Sequence, residues 1–128
     1  MNIERINSEL LKQLSIIFRY ELNDPRIHGM ITVLEVKISD DLSHARVYVS
    51  YFGDQSLKEE TFEALNNCTG HMRNLLKQRI KMRTIPFLRI IPDDSIEHAQ
   101  QITDLIDRAM DETHQTERNY TDEENGSN

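Results

Sequence analysis

The sequence has few of the residues that cross-link, anchor or export a small protein. Its 128 residues include one cysteine and no tryptophan. A single cysteine cannot form an intramolecular disulfide, and small secreted chains more often carry several. No apolar run approaches the ~20 residues of a bilayer-spanning helix, and the first residues, MNIERINSELLKQL, lack the apolar stretch of a signal peptide. We therefore expect a cytoplasmic protein with no membrane association.

Motifs for catalysis and for metal binding are also scarce. The chain has no Gly-rich phosphate loop, so the sequence gives no support for nucleotide hydrolysis. Cys68 and His71 form one Cys-x-x-His pair without a second pair, which is too little for a zinc site. Asp93 and Asp94 precede a predicted helix, where carboxylates favour the helix dipole. We expect no enzymatic activity, no cofactor and no bound metal.

Acidic residues are concentrated in the C-terminal part of the chain. The formal net charge is −7, but residues 1–91 carry 13 Lys and Arg against 11 Asp and Glu. Residues 92–128 carry 2 against 11. Residues 111–128, DETHQTERNYTDEENGSN, have too few apolar side chains to form a core. We therefore predict a folded, mildly basic domain over residues 1–110 and an acidic, disordered tail over residues 111–128.

The first half of the chain predicts one helix and two strands. Apolar residues from Ile3 to Ile17 recur at three- and four-residue steps, and this helix should end near Leu22, before Asn23-Asp24-Pro25. Alternation beginning at Leu34 predicts a strand, and ARVYVSYF predicts a second strand. The short linking turn DDLSH favours an antiparallel pair.

The second half predicts two helices separated by a bend, then a strand and a helix. Ser56-Leu57-Lys58-Glu59 has the pattern of a capping box at a helix start. Gly70 interrupts the helical spacing and predicts a bend. PFLRII, residues 86–91, predicts a third strand, and Asp94 or Ser95 would cap a C-terminal helix that continues to Ala109. The fold class is α+β, in a single domain.

The segment from Gly70 to Ile91 contains six basic residues and no Asp or Glu: Arg73, Lys77, Arg79, Lys81, Arg83 and Arg89. On a continuous helix, Arg73, Lys77 and Lys81 would lie within an arc of about 80°, and RNA phosphates would relieve their mutual repulsion. In an ideal helix Arg79 falls among the apolar positions, where it would extend to solvent at the helix end or fill a polar niche, and it is not predicted to contact RNA. A basic helix face is often merely solvated, so both interpretations stay open. Few aromatic residues argue against a base-stacking platform and favour contacts to the RNA backbone.

Three passages share order and spacing with a known family. They are LNDPRIHGMITVLEVKISDDLSHARVYVS, ALNNCTGHMRNLLKQRIKMRTIPFL and the DDS of residues 93–95. Asp24-Pro25-Arg26, and Lys-Met-Arg before Thr84-Ile85-Pro86, are among the matching residues. The sequence resembles ribosome-binding factor A, a family of bacterial assembly factors for the small ribosomal subunit. The resemblance covers roughly residues 1–110 and implies a KH-like (type II) fold of helix, strand, strand, helix, kink, helix and strand.

The resemblance also implies a function and its partners. Such a protein binds the immature 30S subunit through 16S rRNA and assists its late maturation, including 16S rRNA 5′ end processing. It matters most during growth in the cold, and it is not an enzyme. A ribosome-associated GTPase is a further implied partner, and we expect a monomer. The alternative is a protein-interaction module that docks on a ribosomal protein or a GTPase, with incidental RNA contact.

Candidate site residues follow from the basic segment and from the resemblance. In the family an Ala-x-Gly helix bend replaces the Gly-x-x-Gly loop, and the corresponding residues here are Cys68, Thr69 and Gly70, with Cys in place of Ala. The candidate RNA contacts are Arg26, Arg73, Lys77, Lys81, Arg83 and Arg89. The acidic tail suggests a further hypothesis, that it screens the basic face from non-specific RNA. A solubilising role for the tail is the alternative.

Overall fold

A computed structural model of the protein describes residues 2–94 and 106–108. The elements follow in the order α1 (Ile3–Tyr20), β1 (Met30–Ile38), β2 (His44–Phe52), a 3-10 turn (Gln55–Leu57), α2 (Lys58–Asn67), α3 (Thr69–Arg79) and β3 (Phe87–Pro92). Residues 106–108 are helical. The rest of the predicted C-terminal helix, the predicted domain end at residue 110 and the acidic tail lie outside the described residues.

Helix α1 forms where the apolar periodicity predicts it. The Asn2 side chain caps its start by accepting hydrogen bonds from the amides of Glu4, at 2.9 Å, and Arg5, at 3.3 Å. Its predicted apolar face is buried at Ile6, Leu10, Leu14 and Ile17, and partly buried at Ile3. The helix ends at Tyr20, before Asn23-Asp24-Pro25, because the residue before a proline disfavours helical backbone.

The sheet has three strands in the order β1-β2-β3. Strands β1 and β2 pair antiparallel, as predicted, and β3 pairs parallel to β2. A register shift between Val33 and Glu35 places a β-bulge at Leu34, so Val33 and Leu34 are buried in succession at the point where the predicted alternation begins. Beyond the bulge the alternation holds as far as Ile38.

The turn between β1 and β2 is organised by one carboxylate. Asp41 accepts hydrogen bonds from the Ser39 hydroxyl at 2.7 Å and from the Ser43 hydroxyl at 2.7 Å and amide at 3.1 Å. These donors lower the pKa of Asp41 to about 2. Leu42 completes the turn with a positive φ of 64°.

The start of α2 differs from the predicted capping box. Asp54, not Ser56, supplies the capping oxygen, and it accepts hydrogen bonds from the Ser56 amide at 2.9 Å and hydroxyl at 2.7 Å. These contacts cap the 3-10 turn that precedes α2, and the helix itself begins at Lys58 without a side-chain cap. Asp54 prevails because its carboxylate is the stronger acceptor and the chain enters the helix through this extra turn.

Helices α1, α2 and α3 pack on one face of the sheet. Their buried residues form one core with alternate strand residues, which are Val36, Ile38, Ala45, Val47, Val49, Leu88 and Ile90. The amide side chain of Asn66 on α2 donates to the Ile90 carbonyl at 3.0 Å and accepts from the Ile90 amide at 2.9 Å. This pair of bonds occupies backbone groups of β3, an edge strand. Side chains at the intervening strand positions form the opposite surface, called here the open sheet face.

Candidate nucleic-acid interface

The break between α2 and α3 lies at Cys68, two residues before Gly70. Cys68 closes α2, donating its amide to the carbonyls of Ala64 and Leu65, and its carbonyl accepts from Met72 in α3. The Thr69 hydroxyl donates to the Asn66 carbonyl at 3.1 Å. A Cβ atom on Gly70 would meet no other atom within 4 Å. The bend therefore does not depend on a close approach of the two helices at Gly70.

The surroundings of Cys68 favour the neutral thiol over the thiolate. Its Sγ lies 3.9 Å from Oδ2 of Asp24. Burial, and next the Asp24 carboxylate, raise the pKa of the Cys68 thiol above its usual value. A nucleophilic cysteine needs the opposite shift, so this environment gives no support for covalent catalysis. In the part of the chain that the structure describes, no three His, Cys, Asp or Glu side chains are grouped to hold a metal ion.

Arg73 is used within the protein. Its Nε donates to the Pro86 carbonyl and its Nη2 to the Ile85 carbonyl, both at 3.0 Å. Its guanidinium also lies over the Phe87 ring, 4.2 Å from the ring centroid. Arg73 thus fastens α3 to the end of the 80–86 loop and to the first residue of β3. It positions the basic loop, and two of its five N–H donors are already used there.

Arg79 is bound within the protein as well. Its two terminal nitrogens form a bidentate pair with the carboxylate of Glu21, at the end of α1. The Arg79 guanidinium lowers the pKa of that carboxyl. Arg79 thus fills a polar niche at the end of α3, one of the two environments expected for it, and its side chain reaches across to α1.

Lys77, Lys81 and Arg83 remain exposed, and we call them the loop cations. None of their side chains has a hydrogen bond or ion pair to another residue in the ranges 2–94 and 106–108. The prediction that Arg73, Lys77 and Lys81 share one helix face is wrong. Helix α3 ends at Arg79, and Ile80 adopts extended backbone with φ −120° and ψ 133°. Lys77 lies in the last turn of α3, whereas Lys81 and Arg83 lie in the loop.

Arg26 is paired with its own turn. Asp24 accepts from the Arg26 amide at 2.9 Å and from its guanidinium at 2.9 and 3.2 Å. These bonds lower the pKa of Asp24 to about 2. The Arg26 side chain is 49% exposed, so an unpaired edge of the guanidinium faces solvent. The Arg26 guanidinium is therefore partly satisfied by Asp24 and partly accessible to a ligand from solvent.

Arg89 lies on the open sheet face and not beside the loop cations. It pairs in register with Arg46 on β2, which pairs with Lys37 on β1, and all three residues are exposed. Lys37 and Arg46 were not among the predicted contacts, because they come from strands distant from the basic segment. Their outward positions in alternating strands were the available signal. The six predicted contacts therefore lie on several different elements of the fold.

The fold and the exposed basic side chains together indicate a class of protein. Three helices on one face of a three-stranded sheet, with a helix–break–helix unit and exposed cations, form an α+β domain of KH-like type. A family model described as ribosome-binding factor A matches residues 2–106. The chain is 46% identical over 104 residues to ribosome-binding factor A of Clostridium tetani, covering 81% of this chain and 86% of that one. The chain belongs to the ribosome-binding factor A family.

Solved structures support the same assignment. The crystal structure of ribosome-binding factor A from Thermus thermophilus superimposes with a TM-score of 0.63 at 28% identity, covering 71% of this chain and 94% of that one. A homology model of the Thermus thermophilus protein, fitted into a cryo-EM map of a 30S complex, gives a TM-score of 0.56 at 30% identity. That comparison covers 66% of this chain and 88% of the other. Among the residues that the structure describes, no helix has the length and hydrophobicity to cross a membrane.

Proposed function

We propose that this protein binds the immature 30S ribosomal subunit through 16S rRNA and assists its late maturation. The observation that carries the proposal is the set of loop cations, three exposed charges that have no acidic partner in the described residues. Membership of the ribosome-binding factor A family, with a relative fitted into a 30S complex, supports the choice of particle. The protein acts by binding, in the cytoplasm and as a monomer.

The arrangement of the basic segment supports a role for the loop cations in phosphate contact. Arg73 fixes the far end of the loop to α3, and Arg79 fixes the end of α3 to α1. Lys77, Lys81 and Arg83 are thus held on an anchored segment with their charged groups in solvent. Pre-positioned cations lose less conformational entropy when they bind phosphate. Each phosphate neutralised also releases condensed counterions.

Binding can promote maturation without catalysis. A factor that contacts one rRNA conformation more strongly than another shifts the population toward the first by its difference in affinity. Processing of the 16S rRNA 5′ end would then follow from the favoured conformation, by the action of separate nucleases. Folding of RNA is most easily trapped at low temperature, so the requirement should be greatest in the cold. A ribosome-associated GTPase acting on the same particle is a proposed partner.

The direct test is binding of purified immature 30S subunits across a salt series. We expect tight binding by the wild type that weakens as salt rises, and weaker binding by Lys81→Ala/Arg83→Ala. Loss of two duplex phosphate contacts should make the slope of log K against log salt shallower by roughly 1.8. The matched control is Lys12→Ala/Arg19→Ala, which removes two exposed cations from α1.

The outcomes separate the proposal from its alternative. If the wild type binds but the loop variant equals the control, the loop cations do not contact rRNA. Binding that is insensitive to salt would favour docking on a ribosomal protein or a GTPase. Failure of the wild type to bind subunits would overturn the proposed function. In cells lacking the protein, we expect unprocessed 16S rRNA 5′ ends to accumulate and growth to slow most in the cold, with poor rescue by the loop variant.

A further inference from the structure

Three cations form a continuous row across the open sheet face. Lys37 on β1 is the register partner of Arg46 on β2, and Arg46 is the register partner of Arg89 on β3. Neighbouring strands lie about 4.8 Å apart, so the row spans roughly 10 Å between the outer strands. All three residues are exposed. We call Lys37, Arg46 and Arg89 the cation row.

A row of like charges in direct register opposes folding. Like charges opposite one another on adjacent strands destabilise a sheet, and this chain tolerates two such pairs in succession. The one acidic side chain in the flanking register positions is Glu35, whose carboxylate lies 3.7 Å from Nζ of Lys37. Arg46 and Arg89 have no carboxylate within ion-pairing distance among the residues that the structure describes. An anionic ligand would remove the repulsion.

Aromatic rings lie on both sides of the cation row. On one side, Phe87 is 59% exposed, and its ring centroid lies 5.7 Å from that of His44, its register partner. On the other side, Tyr48 lies beneath two cations, with the charged groups of Lys37 and Arg46 at 5.8 and 5.9 Å from its ring centroid. Cations flanked by rings on an open sheet are a suitable surface for single-stranded nucleic acid.

Phe87 is the better stacking ring, because one of its faces is already supported. The Arg73 guanidinium lies 4.2 Å from its centroid and is itself fixed by the Ile85 and Pro86 carbonyls. This support holds a large apolar side chain in an exposed position. The sequence prediction that exposed aromatics are too few for base stacking overlooked this cluster, since tertiary structure brings Phe87, His44 and Tyr48 to one face.

We propose that the open sheet face is a second RNA-binding surface, which takes a single-stranded segment. The cation row binds its phosphates, and Phe87 stacks on one of its bases. This surface is separate from the loop cations and adds single-strand recognition to the proposed rRNA contact. That its physiological ligand lies in 16S rRNA rests on the proposed function. Charge complementarity favours a nucleic acid as the ligand. The cation row and the register positions on either side of it hold three exposed guanidinium or ammonium groups against one carboxylate, that of Glu35.

The test uses the full chain and a fluorescent 12-nucleotide oligouridylate, measured by anisotropy across a salt series. For Arg46→Gln/Arg89→Gln we expect at least tenfold weaker binding near 0.1 M salt. The slope of log K against log salt should become shallower by about 1.4, from two single-strand phosphate contacts. The control Lys12→Gln/Arg19→Gln removes the same charge from α1 and should stay within about twofold of wild type.

Base stacking gives a second, independent readout. Phe87→Leu keeps an apolar side chain but removes the ring, and should weaken oligouridylate binding by about tenfold with an unchanged salt slope. Ultraviolet cross-linking of the wild type should attach RNA to peptides containing Phe87 or Tyr48. Circular dichroism and urea unfolding of each variant identify any loss that comes from unfolding.

Two results would overturn the proposal. One is equal binding by Arg46→Gln/Arg89→Gln and the α1 control, which would indicate general attraction to positive charge. The other is cross-linking confined to residues 70–86. The oligouridylate assay contains no ribosome, so it tests the open sheet face even if the protein fails to bind 30S subunits. Conversely, the Lys81→Ala/Arg83→Ala variant should lose 30S binding while keeping most of its oligouridylate binding.

Discussion

The loop cations and the cation row carry equal charge but arise from the sequence in different ways. Lys77, Lys81 and Arg83 lie within seven residues of one another. Lys37, Arg46 and Arg89 come from three strands and meet only through the register of the sheet. Charge that is clustered in sequence can be recognised by inspection. Charge that is clustered by strand pairing cannot be recognised until the pairing is known.

The basic segment itself divides into two kinds of cation. Arg73 and Arg79 donate to groups elsewhere in the fold, whereas the loop cations remain free within residues 2–94 and 106–108. Both bound residues are arginines, whose planar fork satisfies two acceptors at once. Composition alone does not show this division. A purely basic segment is therefore partly a binding surface and partly a means of fixing that surface.

The largest effect on stability should come from Arg73. Arg73→Ala leaves the Ile85 and Pro86 carbonyls without their donors and removes the guanidinium from Phe87. Charge-assisted hydrogen bonds of this kind contribute roughly 1.5–3 kcal/mol, so we expect the free energy of unfolding to fall by about 2 kcal/mol. Urea unfolding followed by circular dichroism measures this change.

Lys77→Ala is the matched comparison for Arg73, one helical turn along α3. Because Lys77 is exposed and free, its replacement should change the free energy of unfolding by less than about 0.5 kcal/mol. Arg73→Lys keeps the charge but loses the fork, and should recover less than half of the stability. Equal effects of the two alanine variants would contradict the division between anchoring and free cations.

Acid should weaken the turn that holds Arg26. The Arg26 guanidinium, followed by its amide, lowers the pKa of Asp24 from 3.8 to about 2. A carboxyl whose pKa is lower in the folded state stabilises the fold above its unfolded pKa, and this contribution is lost as pH falls through the folded value. Stability should therefore decline between about pH 4 and pH 2. Asp24→Asn should be less stable at pH 7 and show a smaller decline.

Urea midpoints at a series of pH values from 7 down to 2.5 provide the measurement. Asp40→Asn is a suitable control, since it removes an exposed aspartate that makes no hydrogen bond or ion pair in the described ranges. A wild-type and an Asp24→Asn profile of the same shape would show that the pair with Arg26 contributes nothing to the pH dependence. Freed from Asp24, Arg26 would also become a fully available cation.

A small gain in stability is expected from a substitution at the bend. Because a Cβ atom on Gly70 would meet no atom within 4 Å, Gly70→Ala should stabilise the protein, by roughly 0.5–1 kcal/mol. Thermal or urea unfolding of this variant decides the point, with Asn74→Ala as a control at another exposed position of α3. Destabilisation by Gly70→Ala would mean that the bend does require glycine, contrary to the geometry at Cys68.

Local patterns predicted most of the elements, because helices and strands depend on apolar periods that the sequence displays directly. The face of α1, the antiparallel pair and the third strand were all found in this way. The bulge at Leu34 and the cap at Asp54 were missed, since each depends on competition between nearby groups with similar patterns. For the site, the loop cations are exposed as expected, whereas the bonds from Arg73 to the Ile85 and Pro86 carbonyls were not predicted.

The α+β class, the uneven distribution of charge and the acid-free basic segment follow from composition and from spacing along the chain. Which cationic side chains are free depends instead on the folded chain, because an arginine is satisfied by carbonyls and carboxylates that other elements bring to it. Strand register likewise decided that Lys37, Arg46 and Arg89 lie in one row. Register is a property of pairing between strands, so no single segment of the sequence contains it.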